Sequence, residues 1–222
     1  MRLLMINTAS SEGSVALADT EVSPEIVAME MLPGRSSSER LVPAVRRLME
    51  TRGWRLGELA AVVVVHGPGS FTGVRVGLSA AKGLSEAGRV PLVAVSRLAL
   101  LANCVDGGGE AVHAVLDAGR GEFYYGEYAG RRCLREALMR EADLRVAIAG
   151  GRVVICEAKV AELLVGLELR MVEEPSAADV LPLALERIEA GDFDDAATVD
   201  ANYLRRSDAE IFAKPSIAGA AR

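Results

Sequence analysis

The sequence contains few histidine, cysteine and aromatic residues. Among 222 residues there are two histidines, His66 and His113, three cysteines, Cys104, Cys133 and Cys156, and only 4% aromatic residues. The histidines lie far apart and no two cysteines have the Cys-x-x-Cys spacing, so neither a zinc site nor a disulfide framework is predicted. Isolated thiols of this kind are typical of proteins from the reducing cytoplasm.

The sequence also lacks long apolar runs and an excess of positive charge. The longest unbroken apolar run covers residues 59–65, far fewer than the about 20 residues of a membrane-spanning helix. Asn7 and Thr8 fall where a signal peptide would still be apolar. The 25 basic residues are outnumbered by 31 acidic ones, which gives a net charge of -6. We therefore expect a soluble cytoplasmic protein that does not bind nucleic acid tightly by itself.

The order of predicted secondary-structure elements occurs twice in the chain. Each half reads as three strands, a helix, a strand, a helix, a strand and a helix. The predicted strands are 3–6, 14–18, 25–32, 62–65, 90–95, 111–116, 122–128, 131–136, 152–156 and 168–172, and the predicted helices are 36–53, 71–87, 96–105, 138–146, 158–164 and 176–190. The sequence thus predicts an α/β protein with duplicated βββαβαβα lobes. The first lobe covers residues 1–105, and a smaller second lobe covers 106–222 with a tail, 213–222, that we expect to be mobile.

A glycine-rich loop joins the buried valine strand 62–65 to the second helix. It contains Gly67, Pro68, Gly69, Ser70, Phe71 and Thr72. The loop matches neither GxxxxGK[ST] nor GxGxxG, and it lacks the GxSxG pattern of a nucleophile elbow. An anion site at the helix amino terminus is one interpretation. A tight turn that holds the strand against the helix is the favoured one, because glycine-rich turns are common at such junctions.

The second helix carries small residues at helical spacing. Gly73, Gly77 and Ala81 fall on one stripe, with Val74 and Leu78 beside it. Each glycine in a helix interior costs about 1 kcal/mol relative to alanine, so we expect another backbone to approach closely there. That neighbour is either the first helix of the same lobe or a helix of another subunit. The first helix offers an apolar face, formed by Leu41, Val45 and Leu48.

Residues 67–84, Gly-Pro-Gly-Ser-Phe-Thr-Gly-Val-Arg-Val-Gly-Leu-Ser-Ala-Ala-Lys-Gly-Leu, resemble the signature of the TsaB family. Residues 4–10 and 116–124 also fit that family. The resemblance implies a two-lobed actin-like (ASKHA) fold and a non-catalytic accessory subunit. Its implied partner is a TsaD-like catalytic subunit, which transfers a threonylcarbamoyl group to an adenosine beside the tRNA anticodon. A TsaE-like ATPase is expected to join them.

The resemblance also implies where the partner binds. The expected partner-binding residues are Leu41, Val45, Leu48, Gly73, Val74, Gly77, Leu78 and Ala81. No catalytic residue, metal or tightly bound cofactor is expected in this chain, and ATP or ADP and metal are expected on the partner subunits. Contact with tRNA is expected only through the complex, and a homodimer is possible when the partner is absent.

Two positions depart from the family pattern. Asn7 stands where the family commonly has aspartate, and Ser38 stands where it commonly has histidine. The alternatives are an actin-like ATPase or kinase and an M22-type peptidase, the class with which the family was once grouped. Asn7 speaks against the first because it removes an acidic group that would organise metal and phosphate. The missing histidine pair speaks against the second.

Overall fold

The first half of the chain forms one five-stranded sheet. The computed structural model describes residues 1–204. The elements of this half are β1 (Arg2–Asn7), β2 (Gly13–Asp19), β3 (Glu25–Leu32), α1 (Ser37–Arg52), β4 (Ala61–Val65), α2 (Phe71–Gly88), β5 (Leu92–Val95) and α3 (Arg97–Ala102). The strand order is β3-β2-β1-β4-β5, with the first three strands antiparallel and β1, β4 and β5 parallel. All five residues of β4 are buried, as expected for a parallel strand covered on both faces.

The second half repeats this topology. Its elements are β6 (Val112–Gly119), β7 (Glu122–Ala129), β8 (Arg132–Arg140), α4 (Glu141–Ala147), β9 (Arg152–Ile155), α5 (Ala158–Leu163), β10 (Leu169–Met171) and α6 (Leu181–Glu189). The sheet order β8-β7-β6-β9-β10 corresponds strand for strand to that of the first sheet, with the same parallel and antiparallel pairs. The predicted two-lobed α/β fold with a duplicated order of elements is therefore confirmed.

The last helix of each half packs on the sheet of the other half. In α3, Leu98 and Leu101 are buried against Val112 and Ala114 of the second sheet. In α6, the buried side chains belong to the core of the first sheet. The remaining helices lie as order along the chain suggests, with α1 and α2 on one face of the first sheet and α4 and α5 on the second. The predicted boundary between residues 105 and 106 thus separates α6 from the sheet on which it packs.

Several predicted boundaries differ from the structure by a few residues, and two of these differences are informative. The helix predicted from residue 138 begins at Glu141, because Leu138 and Met139 extend β8 and pair with Tyr124 and Phe123 of β7. The burial of Met139 in the second core holds this extension in place. The helix predicted over 176–190 opens as a 3₁₀ turn, Ala178–Val180, before α6. The predicted tail, 213–222, lies outside the described residues.

Candidate protein-interaction site

The glycine-rich loop before α2 is pinned to the turn that follows β1. The Ser70 amide donates to the Ala9 carbonyl oxygen at 3.0 Å, and the Ser70 hydroxyl accepts from the Gly73 amide at 3.2 Å. A methyl group on Gly69 would lie 2.2 Å from the Ala9 oxygen. The Gly67 carbonyl accepts from the Arg97 amide at 2.7 Å. Close packing and capping therefore account for these residues, as the tight-turn interpretation requires.

The stripe formed by Gly73, Gly77 and Ala81 faces the end of β1 in its own lobe. A Cβ atom on Gly73 would lie 2.0 Å from the Thr8 carbonyl oxygen, and one on Gly77 would lie 2.2 Å from the Thr8 hydroxyl oxygen. The same hydroxyl donates to the Gly73 carbonyl oxygen at 2.7 Å. The neighbour that these glycines admit is thus a strand end, which is neither of the two partners considered from the sequence.

Most other residues predicted to bind the partner are buried inside the lobe. Leu41, Val45, Val74 and Leu78 are each no more than 5% exposed. Leu48 is half-buried and packs against the same core. These side chains shape and hold the α1–α2 pair. Leu48 keeps part of its side chain exposed, and the binding of a partner by this helix pair stays a prediction.

A different stripe of α2 lies at the surface. Val76 and Ala80 are half-buried, and Gly83 and Ala87 are exposed. The four residues recur at i, i+4, i+7 and i+11, which places them on one side of the helix. We call them the outer stripe. On the neighbouring helix α1, Val42 is 54% exposed, so the helix pair presents apolar surface to the outside.

Within the outer stripe, Gly83 is a glycine whose missing side chain is not required by any contact with the described residues of its own lobe. A Cβ atom there would meet nothing within 4 Å among the described residues, in contrast to Gly73 and Gly77. An exposed glycine in a helix interior costs about 1 kcal/mol relative to alanine. Its lack of a side chain matters only if another molecule approaches at close range.

A buried arginine joins the two lobes. Arg97, at the start of α3, is 4% exposed, and its guanidinium donates to Glu174 at 2.6 Å and to Glu157 at 3.2 Å. Glu174 also accepts from the Ser11 hydroxyl at 2.5 Å, and Glu157 accepts from the Asp117 amide at 2.7 Å. We call Arg97, Glu157 and Glu174 the cleft cluster. Through these contacts, the cleft cluster connects the turn after β1 in the first lobe to β6 in the second lobe.

The two carboxylates of the cleft cluster and the neighbouring Cys156 are residue types that can bind a metal ion, but their protonation and pairing do not favour one. Ligand atoms of Cys156, Glu157 and Glu174 lie within 4.8 Å of one another. Burial raises the pKa of the Cys156 thiol to about 12, so the thiol is protonated at neutral pH. Both carboxylates already pair with Arg97. The group therefore fits an internal ion-pair cluster better than a metal centre.

Neither histidine activates a nucleophile within residues 1–204. The His66 Nδ1 atom lies 3.1 Å from the Asp200 carbonyl oxygen, and the His113 Nδ1 atom lies 2.9 Å from the Tyr125 hydroxyl. Cys104 is exposed as a residue, but desolvation of its thiol raises the pKa to about 11, so the thiol is protonated at neutral pH.

Asn7 has a structural role that aspartate could not fill. Its Nδ2 atom donates to the Pro175 carbonyl oxygen at 2.9 Å and to the Ser10 hydroxyl at 3.2 Å, while its Oδ1 atom accepts from the Ala9 amide at 3.1 Å. A carboxylate in this buried position would face the Pro175 oxygen without a proton to donate. The amide therefore fixes the turn after β1 to the segment that precedes α6.

A pocket of about 340 Å³ opens between the amino-terminal ends of α1 and α2. Among the side chains that the structure describes, its lining is rich in hydroxyl groups and carries no charge. The lining residues are Thr8, Ser10, Ser11, Gly34, Ser37, Ser38, Ser70, Phe71, Thr72, Gly73 and Val76. Ser38, one of the departures from the family pattern, thus lies in a pocket lined largely by hydroxyl groups.

The sequence carried weak signals for the two features that were missed. Arg97 is the single charge between residues 90 and 105, and an isolated charge in an apolar helix suggests a buried partner. Gly83 is the third glycine of one helix, and it does not continue the four-residue spacing of Gly73 and Gly77.

In the part of the chain that the structure describes, none of the helices has the length and apolar character needed to cross a membrane.

Comparison with known proteins gives consistent relatives. A family model described as TsaD, tRNA N6-adenosine threonylcarbamoyltransferase, matches residues 22–149. The tRNA threonylcarbamoyladenosine biosynthesis protein TsaB of Escherichia coli K12 is 38% identical over 131 residues, which cover 58% of this chain and 55% of that protein. The Bacillus subtilis protein of the same name is 32% identical over 152 residues, covering 66% of this chain and 63% of that one. The chain thus spans between about half and two thirds of these curated relatives.

The same fold is found in a solved structure. A crystal structure of a Pseudomonas aeruginosa protein, described as uncharacterised and similar to peptidase YeaZ, matches with a TM-score of 0.77 at 30% identity. The match covers 92% of this chain and 99% of that one.

Proposed function

Since the chain belongs to the TsaB family, we propose that it is a non-catalytic accessory subunit of tRNA threonylcarbamoyladenosine synthesis. In this role it binds a TsaD-like catalytic subunit and is required for threonylcarbamoyl transfer to the adenosine beside the anticodon. A TsaE-like ATPase joins the complex, and ATP or ADP and metal bind to the partner subunits. The complex works in the cytoplasm.

The observation that carries the proposal is the uncompensated glycine of the outer stripe. Gly83 sits in an exposed helix interior with no described atom within 4 Å of an added Cβ, on the same side of α2 as Val76 and Ala80. Small residues on an exposed stripe permit two helices to pack at close range. We therefore place the partner on the outer stripe and Val42. The buried residues Leu41, Val45 and Gly77 support that surface from beneath.

The cleft cluster supports a non-catalytic role. Both carboxylates between the lobes pair with Arg97, and this weakens their case as metal ligands, although the Arg97 Nε atom has no partner among the described residues. The buried thiol beside them is protonated at neutral pH. Nothing in this cluster provides a nucleophile together with a base, which peptidase chemistry requires.

The test is co-purification of the full chain with the TsaD-like subunit of the same organism, followed by a tRNA modification assay. Gly83→Leu should abolish both association and modification, because the leucine side chain fills the space that the partner helix needs. The isolated variant should fold at least as stably as the parent, since leucine has the better helix propensity. Glu189→Leu, at an exposed position of α6, is the matched control and should leave association intact.

Three results would contradict the proposal. An intact complex with Gly83→Leu would remove the outer stripe from the interface. Full tRNA modification by the TsaD-like subunit without this chain would remove the accessory role. Hydrolysis of ATP or peptide by the isolated chain would contradict its non-catalytic nature. Sizing of the isolated chain also shows whether the outer stripe pairs with a second copy when the partner is absent.

A further inference from the structure

A line of cations runs along a second exposed side of α2. Arg75 and Lys82 lie on the helix and Arg89 caps its end, at i, i+7 and i+14. We call these three residues the basic ridge. With 3.6 residues per turn, the ridge lies about 130° around the helix from the outer stripe and extends over about 21 Å. A partner on the outer stripe therefore leaves the ridge free.

The ridge cations are not neutralised within the described chain. No carboxylate among residues 1–204 forms an ion pair with Arg75, Lys82 or Arg89. Arg89 has a φ of 53°, a left-handed conformation that glycine would adopt at no steric cost. An arginine is thus held at a position where the backbone favours another residue. In a protein of net charge -6, a line of cations without ion pairs to residues 1–204 favours a polyanionic ligand.

Exposed aromatic rings stand at the amino-terminal end of the ridge. The Arg75 guanidinium carbon lies 3.6 Å from the ring centroid of Phe71 and 5.6 Å from that of Tyr203. The Arg75 Nε atom also donates to the Tyr203 hydroxyl at 2.7 Å. Phe71 is 56% exposed and Tyr203 is 45% exposed. Both rings thus keep about half of their surface exposed, and the terminal nitrogens of Arg75 form no ion pair with residues 1–204.

We propose that the basic ridge and the Phe71–Tyr203 pair form a contact surface for the tRNA substrate. The ridge cations bind backbone phosphates, and an unstacked base packs on the exposed aromatic rings, as in single-strand recognition by other proteins. The inference deepens the proposed function and rests on it, because the tRNA reaches this surface once the TsaD-like subunit is bound. Three cations are too few for tight binding by the isolated acidic chain, which agrees with the expectation from composition.

The experiment measures binding of an unmodified tRNA transcript to the complex of the full chain with its TsaD-like subunit, over 50–200 mM salt. The test variant combines Arg75→Gln, Lys82→Gln and Arg89→Gln. Each lost phosphate contact should lower the slope of log K against log salt by about 0.7–0.9. We expect a total decrease of about 2–3 in slope and at least a tenfold loss of affinity near physiological salt.

The matched control has the same net charge but changes the second lobe. It combines Arg132→Gln, Arg140→Gln and Arg170→Gln, three exposed positions, and should keep the parent slope and affinity. Phe71→Leu in the complex should lower affinity with an unchanged slope, because it removes stacking but no charge. Lys82 forms no hydrogen bond or ion pair in the described chain, so Lys82→Gln alone replaces the triple variant if that variant is unstable. The expected change in slope is then just under one.

Each remaining outcome contradicts the inference in a recognisable way. An unchanged slope in the triple variant means that the ridge does not contact tRNA. Loss of the TsaD-like subunit from a variant that melts normally means that the ridge is a protein interface. If the parent complex forms but does not bind tRNA, the ridge inference fails alone. If the parent complex does not form, the proposed function fails with it.

Discussion

Two glycines of α2, Gly77 and Gly83, sit in opposite environments. Gly77→Ala places a methyl group 2.2 Å from the Thr8 hydroxyl oxygen, so either α2 moves away from β1 or the Thr8 side chain rotates and loses its hydrogen bond to Gly73. We expect a loss of about 1–3 kcal/mol in the free energy of unfolding. Gly83→Ala meets open space and should raise that free energy by up to about 1 kcal/mol. Urea denaturation of the two variants provides the comparison, and a Gly77→Ala protein as stable as the parent would show that the predicted close approach is absent.

His113 should make stability fall in mild acid. Burial lowers its pKa below the ordinary value of 6.5, although the nearby charge of Glu127 partly opposes the shift. The unfolded chain therefore takes up the proton first as the pH falls. Stability from this group is complete above about pH 6.5 and is lost as the pH falls toward the folded pKa.

Thermal melts between pH 8 and pH 5 measure this loss. His113→Gln should flatten the profile between pH 7 and pH 5, even though it also removes the contact with Tyr125. If the His113→Gln profile stays as steep as that of the parent, another group causes the acid sensitivity.

At the residue scale, the sequence indicated which positions need a close neighbour, but it did not identify that neighbour. The cost of Gly73 and Gly77 correctly indicated a close neighbour. The neighbour proved to be Thr8, whose approach depends on the register of β1 in the sheet. Arg97 could not be assigned a role, because its partners Glu157 and Glu174 come from the other half of the chain. Contacts between distant residues need the assembled fold.

At the scale of elements, periodicity predicted nearly all strands and helices, together with their duplicated order. It failed where tertiary contacts outweigh local preference, as at Leu138 and Met139, which have good helix propensity but pair with β7. It also could not show which sheet a helix covers. The apolar pattern of α3 or α6 is the same whether the helix packs on the sheet of its own lobe or on the sheet of the other lobe.

The exchange of α3 and α6 should make the whole molecule unfold as one unit. The second sheet depends on α3 from the first half, and the first sheet depends on α6 from the second. The single tryptophan, Trp54, packs on the first core, while Tyr125 and Tyr128 are buried in the second lobe. We expect tryptophan fluorescence and the near-ultraviolet tyrosine signal to give the same urea midpoint.

Two separate midpoints would mean that the lobes are stable independently of one another. A more direct test of the coupling compares the two urea midpoints in Leu183→Ala. This substitution in α6 removes a side chain from the core of the first sheet. In a cooperative molecule it lowers both midpoints together by the same amount. A shift confined to the tryptophan signal would contradict the coupling.

The position of α6 near the end of the described chain also matters during synthesis. The ribosome releases β1 to β5 first, but the helix that covers one face of their sheet is translated only after the whole second sheet. At about 5–20 residues per second, the stretch from Val95 to Leu181 takes several seconds to make. For that time the nascent first sheet has an open apolar face. We expect ribosome-bound chains halted before Leu181 to be captured by chaperones, and chains that have exposed α6 to be released from them.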